Sequence, residues 1–106
     1  MTEWPKWFEG WEDSVGKGWL PLLNELCWKL DPLVKQHDLA NERPFKVAQV
    51  KEKFGGLRFY IDGGTKEINA LVAEAENKSY DVCEECGAPG KQRGGGWIKT
   101  LCDQHA

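Results

Sequence analysis

The sequence predicts an α+β fold: a small helical N-terminal part, a β-hairpin and a further helix, followed by a C-terminal knuckle pair. Apolar residues recur at helical spacing in separate stretches, and they alternate at strand spacing around Gly55-Gly56. Near the end of the chain, cysteine and histidine fall into two close pairs. With 106 residues and 41% hydrophobic content, the chain has apolar material for one core, read as residues 1–82, with a subdomain at 83–106.

Trp4, Trp7, Phe8 and Trp11 stand at i, i+3, i+4 and i+7, which is one face of a helix expected over about 5–13. Pro5 suits a first turn, where its missing N–H is no loss. Gly10 weakens the pattern, and Gly16 and Gly18 break it. The aromatics of this segment read first as core, because a small domain needs every large apolar residue. The alternative is a docking helix, since tryptophan is favoured at interface hot spots. The second helix, expected over about 19–36, is carried by Trp19, Leu22, Leu23, Leu26, Cys27 and Leu30. Asp31-Pro32 should end or kink it, with Leu33 and Val34 adding one more turn to the same face. Cys27 reads as a small buried hydrophobe, Trp28 as partly exposed and His37 as an ordinary surface histidine.

The hairpin spans about 45–62, turning at Gly55-Gly56 as a primed turn would. That turn pairs Phe54 with Leu57, Glu52 with Phe59 and Val50 with Ile61. It puts Val50, Phe54, Leu57, Phe59 and Ile61 on the core face and Lys51, Lys53, Arg58 and Tyr60 on the other. Phe45 and Val47 have the opposite parity, so a bulge is expected near Ala48-Gln49. Gly63-Gly64 leads to a helix over about 66–80 with Thr65 as N-cap and Ile68, Leu71, Val72, Ala75 and Ser79 as its buried stripe.

Cys83 and Cys86 form C-x2-C; after fifteen residues, Cys102 and His105 form C-x2-H. This is the ligand spacing of a structural zinc site, with four tetrahedral protein ligands. Gly87 follows the second cysteine, and the strand-like run Trp97–Leu101 precedes the third. Knuckle, hairpin and a ligand pair on a turn have the order of a treble clef or zinc ribbon. A disulfide would need an oxidising compartment, and no signal peptide is visible. A redox C-x2-C would need no second pair downstream. Four protein ligands leave the ion no open position, so one Zn2+ is expected to fold the chain rather than catalyse. The Gly94-Gly95-Gly96 run between the pairs reads as a mobile loop.

Charge is uneven. Residues 44–61 carry 4 basic and 1 acidic groups, whereas 1–43 and 62–106 each carry 5 basic and 8 acidic, for a net −3. Such a chain is a poor general DNA binder, although Lys51, Lys53, Arg58 and Tyr60 could contact nucleic acid locally, extended by Lys91, Arg93, Trp97 and Lys99. No apolar run approaches the ~20 residues of a membrane span. Reduced cysteines and the missing signal point to the cytoplasm. There is no nucleophile motif, phosphate loop, paired catalytic carboxylate or Asp-His pair on the intervening hairpin, so neither an enzyme nor a small-molecule substrate is expected.

Val50-Lys51-Glu52-Lys53-Phe54-Gly55-Gly56-Leu57-Arg58-Phe59-Tyr60, the Cys83–Gly90 knuckle, Thr100–His105 and the Gly18-Trp19 helix start together resemble small zinc-binding proteins encoded by bacteriophages and prophages. The resemblance runs from Gly18 onward. It implies an accessory protein acting inside a bacterial cell, a class that often inhibits or redirects host factors. The expected function is thus a protein-binding inhibitor or adaptor of a host protein, with Trp4, Trp7, Trp11 and the Lys51–Tyr60 face as candidate contacts. Nucleic-acid binding through the hairpin face is the alternative.

Overall fold

Helix α1 (Leu20–Ala40) buries Leu23, Leu26, Cys27, Leu30, Val34 and His37 along one stripe. It belongs to a computed structural model that describes residues 3–40, 42, 44–94 and 96–106; Gly95 of the expected glycine loop lies outside the described residues. The helix is entered through a 3-10 turn, Lys17–Trp19. Strands β1 (Lys46–Lys53) and β2 (Gly56–Asp62) form an antiparallel hairpin, and helix α2 (Lys66–Ser79) follows. A second small hairpin, β3 (Lys91–Arg93) and β4 (Lys99–Leu101), lies between the two cysteine-bearing turns. The fold is α+β, with one core cluster built from Phe8, Trp19, the α1 stripe, Leu57, Phe59, Ile68 and their neighbours.

The first expected helix does not form. Only a 3-10 turn, Lys6–Phe8, is present, because Glu9 leaves helical geometry with ψ 136° and Gly10 takes φ 98°. The aromatics still pack as a group on the core. Phe8 is fully buried and stacks on Phe59, while Trp4 stacks on Phe8 with ring centroids 4.9 Å apart. Trp7 meets Phe45 edge-on and donates from Nε1 to Asp31 Oδ1 at 3.0 Å.

Helix α1 also departs from expectation, since it runs through Pro32 to Ala40. An interior proline costs about 3 kcal/mol. Burying Val34 and His37 beyond it offsets that cost, because each continues the buried stripe of α1. His37 is buried, correcting its reading as a surface residue. Its Nε2 accepts the Gly64 N–H at 3.3 Å, which puts the ring proton on Nδ1, facing Asp38 Oδ1 at 3.1 Å. Cys27 is fully buried, and burial pushes its thiol up. Trp28 is exposed, with Nε1 donating to Glu3 O.

The hairpin turns one residue earlier than expected. Lys53 pairs with Gly56, Glu52 with Leu57, Val50 with Phe59 and Val47 with Ile61, so Phe54-Gly55 is the turn. Both turn residues have positive φ, 54° and 79°, as a type I′ turn requires. Gly56 is the first residue of β2, where only glycine fits, since a Cβ there would lie 2.5 Å from the Tyr80 ring. Phe54 consequently leaves the core face and is exposed. The register shift between Val47 and Gln49 is the expected bulge.

Helix α2 begins as expected, with Thr65 Oγ1 accepting the Ile68 N–H at 3.3 Å. It lies along the free edge of β2. Ser79 Oγ accepts the Leu57 N–H at 2.9 Å, and Glu76 Oε2 accepts the Phe59 N–H at 2.9 Å. These bonds satisfy edge donors that would otherwise invite another strand.

Asp38 links the end of α1 to the start of β1. Its Oδ1 accepts the Phe45 N–H at 2.8 Å, and this bond, then the one from His37, holds its carboxyl below the ordinary carboxylate value. The folded state therefore favours the ionised form. That stabilisation is complete above the unfolded carboxylate pKa of about 4 and is lost as pH falls through the lower folded value. Thermal melts taken below about pH 4 should fall less steeply in Asp38→Asn than in the wild type. Parallel acid limbs would exclude this role.

Candidate metal centre and the surface it braces

The turn from α2 into the first cysteine pair is fixed by the backbone. Val82 bridges Pro89, the Cys83 N–H donates to Ala88 O at 2.8 Å, and the Gly87 N–H donates to Cys83 O at 2.9 Å. The Glu84 N–H reaches Thr100 O at 3.0 Å, which brings the first knuckle beside the end of β4. At the second pair the His105 N–H donates to Cys102 O at 3.1 Å, closing a turn that aims both side chains back. Arg93 steadies this turn from β3, with Nε on Leu101 O at 2.9 Å and its guanidinium on Asp103 Oδ1 at 2.6 Å.

The four sequence-predicted ligands converge. One donor atom from each of Cys83, Cys86, Cys102 and His105 lies within 4.8 Å of all the others, and the cysteines are free thiols. Cys86 and Cys102 sulfurs are 3.6 Å apart, and His105 Nδ1 is 3.1 Å from Cys102 Sγ and 3.8 Å from Cys83 Sγ. A tetrahedral ion with metal–sulfur bonds of about 2.3 Å separates its sulfur ligands by about 3.8 Å. The donor set and spacing are compatible with one bound metal ion. Burial works against ionising Cys83, but hydrogen bonds from the backbone at Cys102, Cys86 and Glu85 outweigh it and keep the thiol below its ordinary value. Burial likewise opposes the Cys102 thiolate and is outweighed by Cys86 and the backbone at Gln104 and His105. Thiolate is the form that binds metal. Cys27 is not part of this cluster.

The two cysteine-bearing turns and the hairpin between them are joined to the core at two places. On one side the Gly18 N–H donates to Glu84 O at 2.9 Å, and Trp19 Nε1, on a fully buried ring, donates to Val82 O at 2.9 Å. On the other, Thr100 Oγ1 donates to Gly55 O at 2.5 Å and Gln92 Nε2 to Phe54 O at 3.0 Å. The hairpin tip therefore rests on β3 and β4.

Of the candidate contact residues, Trp4, Trp7 and Trp11 are half-buried against the core. Lys51, Lys53, Arg58 and Tyr60 share the outer hairpin face, with Lys51 Nζ 5.8 Å from the Tyr60 ring centroid. Arg58 is committed within the chain, donating to Tyr80 Oη at 3.1 Å and to Leu57 O. Arg93 is held by Asp103, and Lys99 stands 3.7 Å from Glu84 and 3.9 Å from Glu85. The most exposed aromatic residues are instead Trp97 and Phe54, at 75% and 62%. Alternation places Phe54 on the core face, and its exposure follows from the turn position.

Comparison of the chain with protein-family models, with curated proteins and with solved structures finds no match. No helix among the described residues is long and apolar enough to cross a membrane.

Proposed function

We propose that this chain is a zinc-stabilised protein-binding module of phage or prophage type that inhibits or redirects a host protein in the bacterial cytoplasm. Zn2+ is the ion that three thiolates and one imidazole suit best, and the two ligand turns flanking a short hairpin follow treble-clef order. All four tetrahedral positions are filled by protein, so the ion acts as a structural staple. One observation carries the binding role: Phe54 remains exposed on a hairpin tip braced by β3 and Trp97 remains exposed beside it, just before β4, while the N-terminal tryptophans pack against the core. Exposed aromatics on a rigid support are the material of interface hot spots.

Nucleic-acid binding is the second reading, favoured by Lys51 over Tyr60 and by Lys53, whose Nζ is 5.7 Å from the Phe54 ring centroid. It ranks lower because Arg58, Arg93 and Lys99 are already engaged, leaving few cations to follow a phosphate backbone. Affinity capture from bacterial lysate, with and without nuclease, separates the two. A protein retained in both lanes supports the module. Material lost with nuclease replaces it with the nucleic-acid reading.

A further inference from the structure

Phe54 occupies a costly place. Left-handed φ is disfavoured for a bulky residue, and asparagine or glycine would fit this turn position with less strain. Its ring gains no core burial in return. A residue that breaks a local rule without structural gain marks a position held for another reason. Trp97 is a second such case, since its large ring is three-quarters exposed. A Cβ on Gly94, which has φ 107°, would lie 2.2 Å from Trp97 O.

Between these two rings lies a cleft of about 190 Å³, lined by Glu52, Lys53, Phe54, Gly96, Trp97 and Ile98. The Phe54 wall is held on β3 and β4 through Gln92, Thr100 and the close packing of Gly55 on Lys99 and Thr100. The lining charges are unequal in effect. Glu52 is half-buried and turned to the Gly55 N–H at 2.7 Å, whereas Lys53 is exposed, with Lys51 on the same strand face just outside the cleft.

We infer that this cleft is a docking site for a protein segment that inserts one large apolar side chain between Phe54 and Trp97 and carries acidic residues beside it. The inference rests on the protein-binding reading above. The space suits one side chain, the aromatic walls supply apolar contact, and Lys51 and Lys53 complement flanking carboxylates. A nucleic-acid strand is disfavoured here, because Lys51 and Lys53 can meet one or two flanking carboxylates but are too few to follow a phosphate backbone.

The test is selection of a random displayed-peptide library on the zinc-loaded protein, followed by titration of the enriched peptides against wild type, Phe54→Asn and Trp97→Ala. Enriched peptides should share one Trp, Phe, Leu or Met flanked by Asp or Glu. Each variant should lose at least about tenfold in affinity. Phe54→Asn should melt no lower than wild type, because asparagine accepts the left-handed turn; a merely structural Phe54 would instead give a lower melt. Failure to enrich peptides, enrichment without acidic residues, or equal affinity for wild type and both variants would overturn the inference. So would tight binding of an oligo-thymidine of about twelve nucleotides that depends on Phe54 and Trp97. A lysate protein captured equally well by wild type and both variants would remove this site while leaving the protein-binding reading standing.

Discussion

Replacing Cys83 or Cys102 with serine is expected to release the metal and to loosen the molecule well beyond its last quarter. The binding energy of a structural zinc site is about 10–16 kcal/mol in small zinc-finger peptides, comparable to the entire stability of a typical domain. Cys83 and Cys102 are both buried, so water reaches either position poorly as a substitute ligand. The knuckle they build also receives the Gly18 N–H and the Trp19 indole, and β4 holds the hairpin tip through Thr100. Metal loss should therefore free the start of α1 and the Phe54-Gly55 turn together with residues 83–106. Metal analysis should show less than one ion per chain, and the melting transition should broaden and fall by tens of degrees. Chelation of the wild type should reproduce both effects. His105→Ala should be milder, because His105 is exposed and water can complete the coordination shell. A Cys83→Ser protein that keeps full metal content and its native melting curve would remove Cys83 from the ligand set.

The Cys/His cluster was legible because donor spacing is a local property: two turns of fixed size each hold two donors, and the chain between them only has to return. Helix α2 was legible for a similar reason, since Thr65 and the Ile68–Ser79 stripe agree with each other. The hairpin shows what alternation can and cannot fix. Moving the turn by one residue shifts every cross-strand partner by two, so the two faces survive an incorrect register. Only Phe54 changes sides, and the glycine pair alone does not say which of its members lies in the turn; Gly56 proves to be the one packed under Tyr80, a tertiary neighbour 24 residues on. The N-terminal aromatics had helical spacing but no helix, because stacking on Phe8 and Phe45 needs proximity and not a continuous hydrogen-bond ladder. Pro32 and His37 were misjudged from local rules that burial along α1 overrode. The Phe54–Trp97 cleft was illegible because its walls come from two hairpins joined only in the folded molecule.

Gly18→Ala separates local propensity from tertiary packing, because the two predict opposite signs. Gly18 lies inside a 3-10 turn, without the positive φ that would demand glycine. By propensity alone, alanine there should stabilise by up to about 1 kcal/mol. The packing says otherwise. A Cβ on Gly18 would lie 2.0 Å from Cys83 O, 2.6 Å from Gly87 N and 2.7 Å from Glu84 C. All three are backbone atoms of the first ligand turn, which cannot swing aside as a flexible side chain could. Either the turn moves, spoiling the placement of Cys83 and Cys86, or the start of α1 lifts and breaks the Gly18–Glu84 and Trp19–Val82 hydrogen bonds. A forced overpacking of this kind costs about 3 kcal/mol or more. The variant should therefore unfold at lower denaturant and also hold zinc more weakly in competition with a chromophoric chelator. Gly96→Ala is the matched control, since a Cβ there meets no atom within 4 Å, and it should change stability by no more than about 0.5 kcal/mol. Equal stabilities for the two variants would mean that the N-terminal turn does not rest on the metal knuckle. A Gly18→Ala protein with weakened zinc binding would show that residues 65 positions apart share one structural unit.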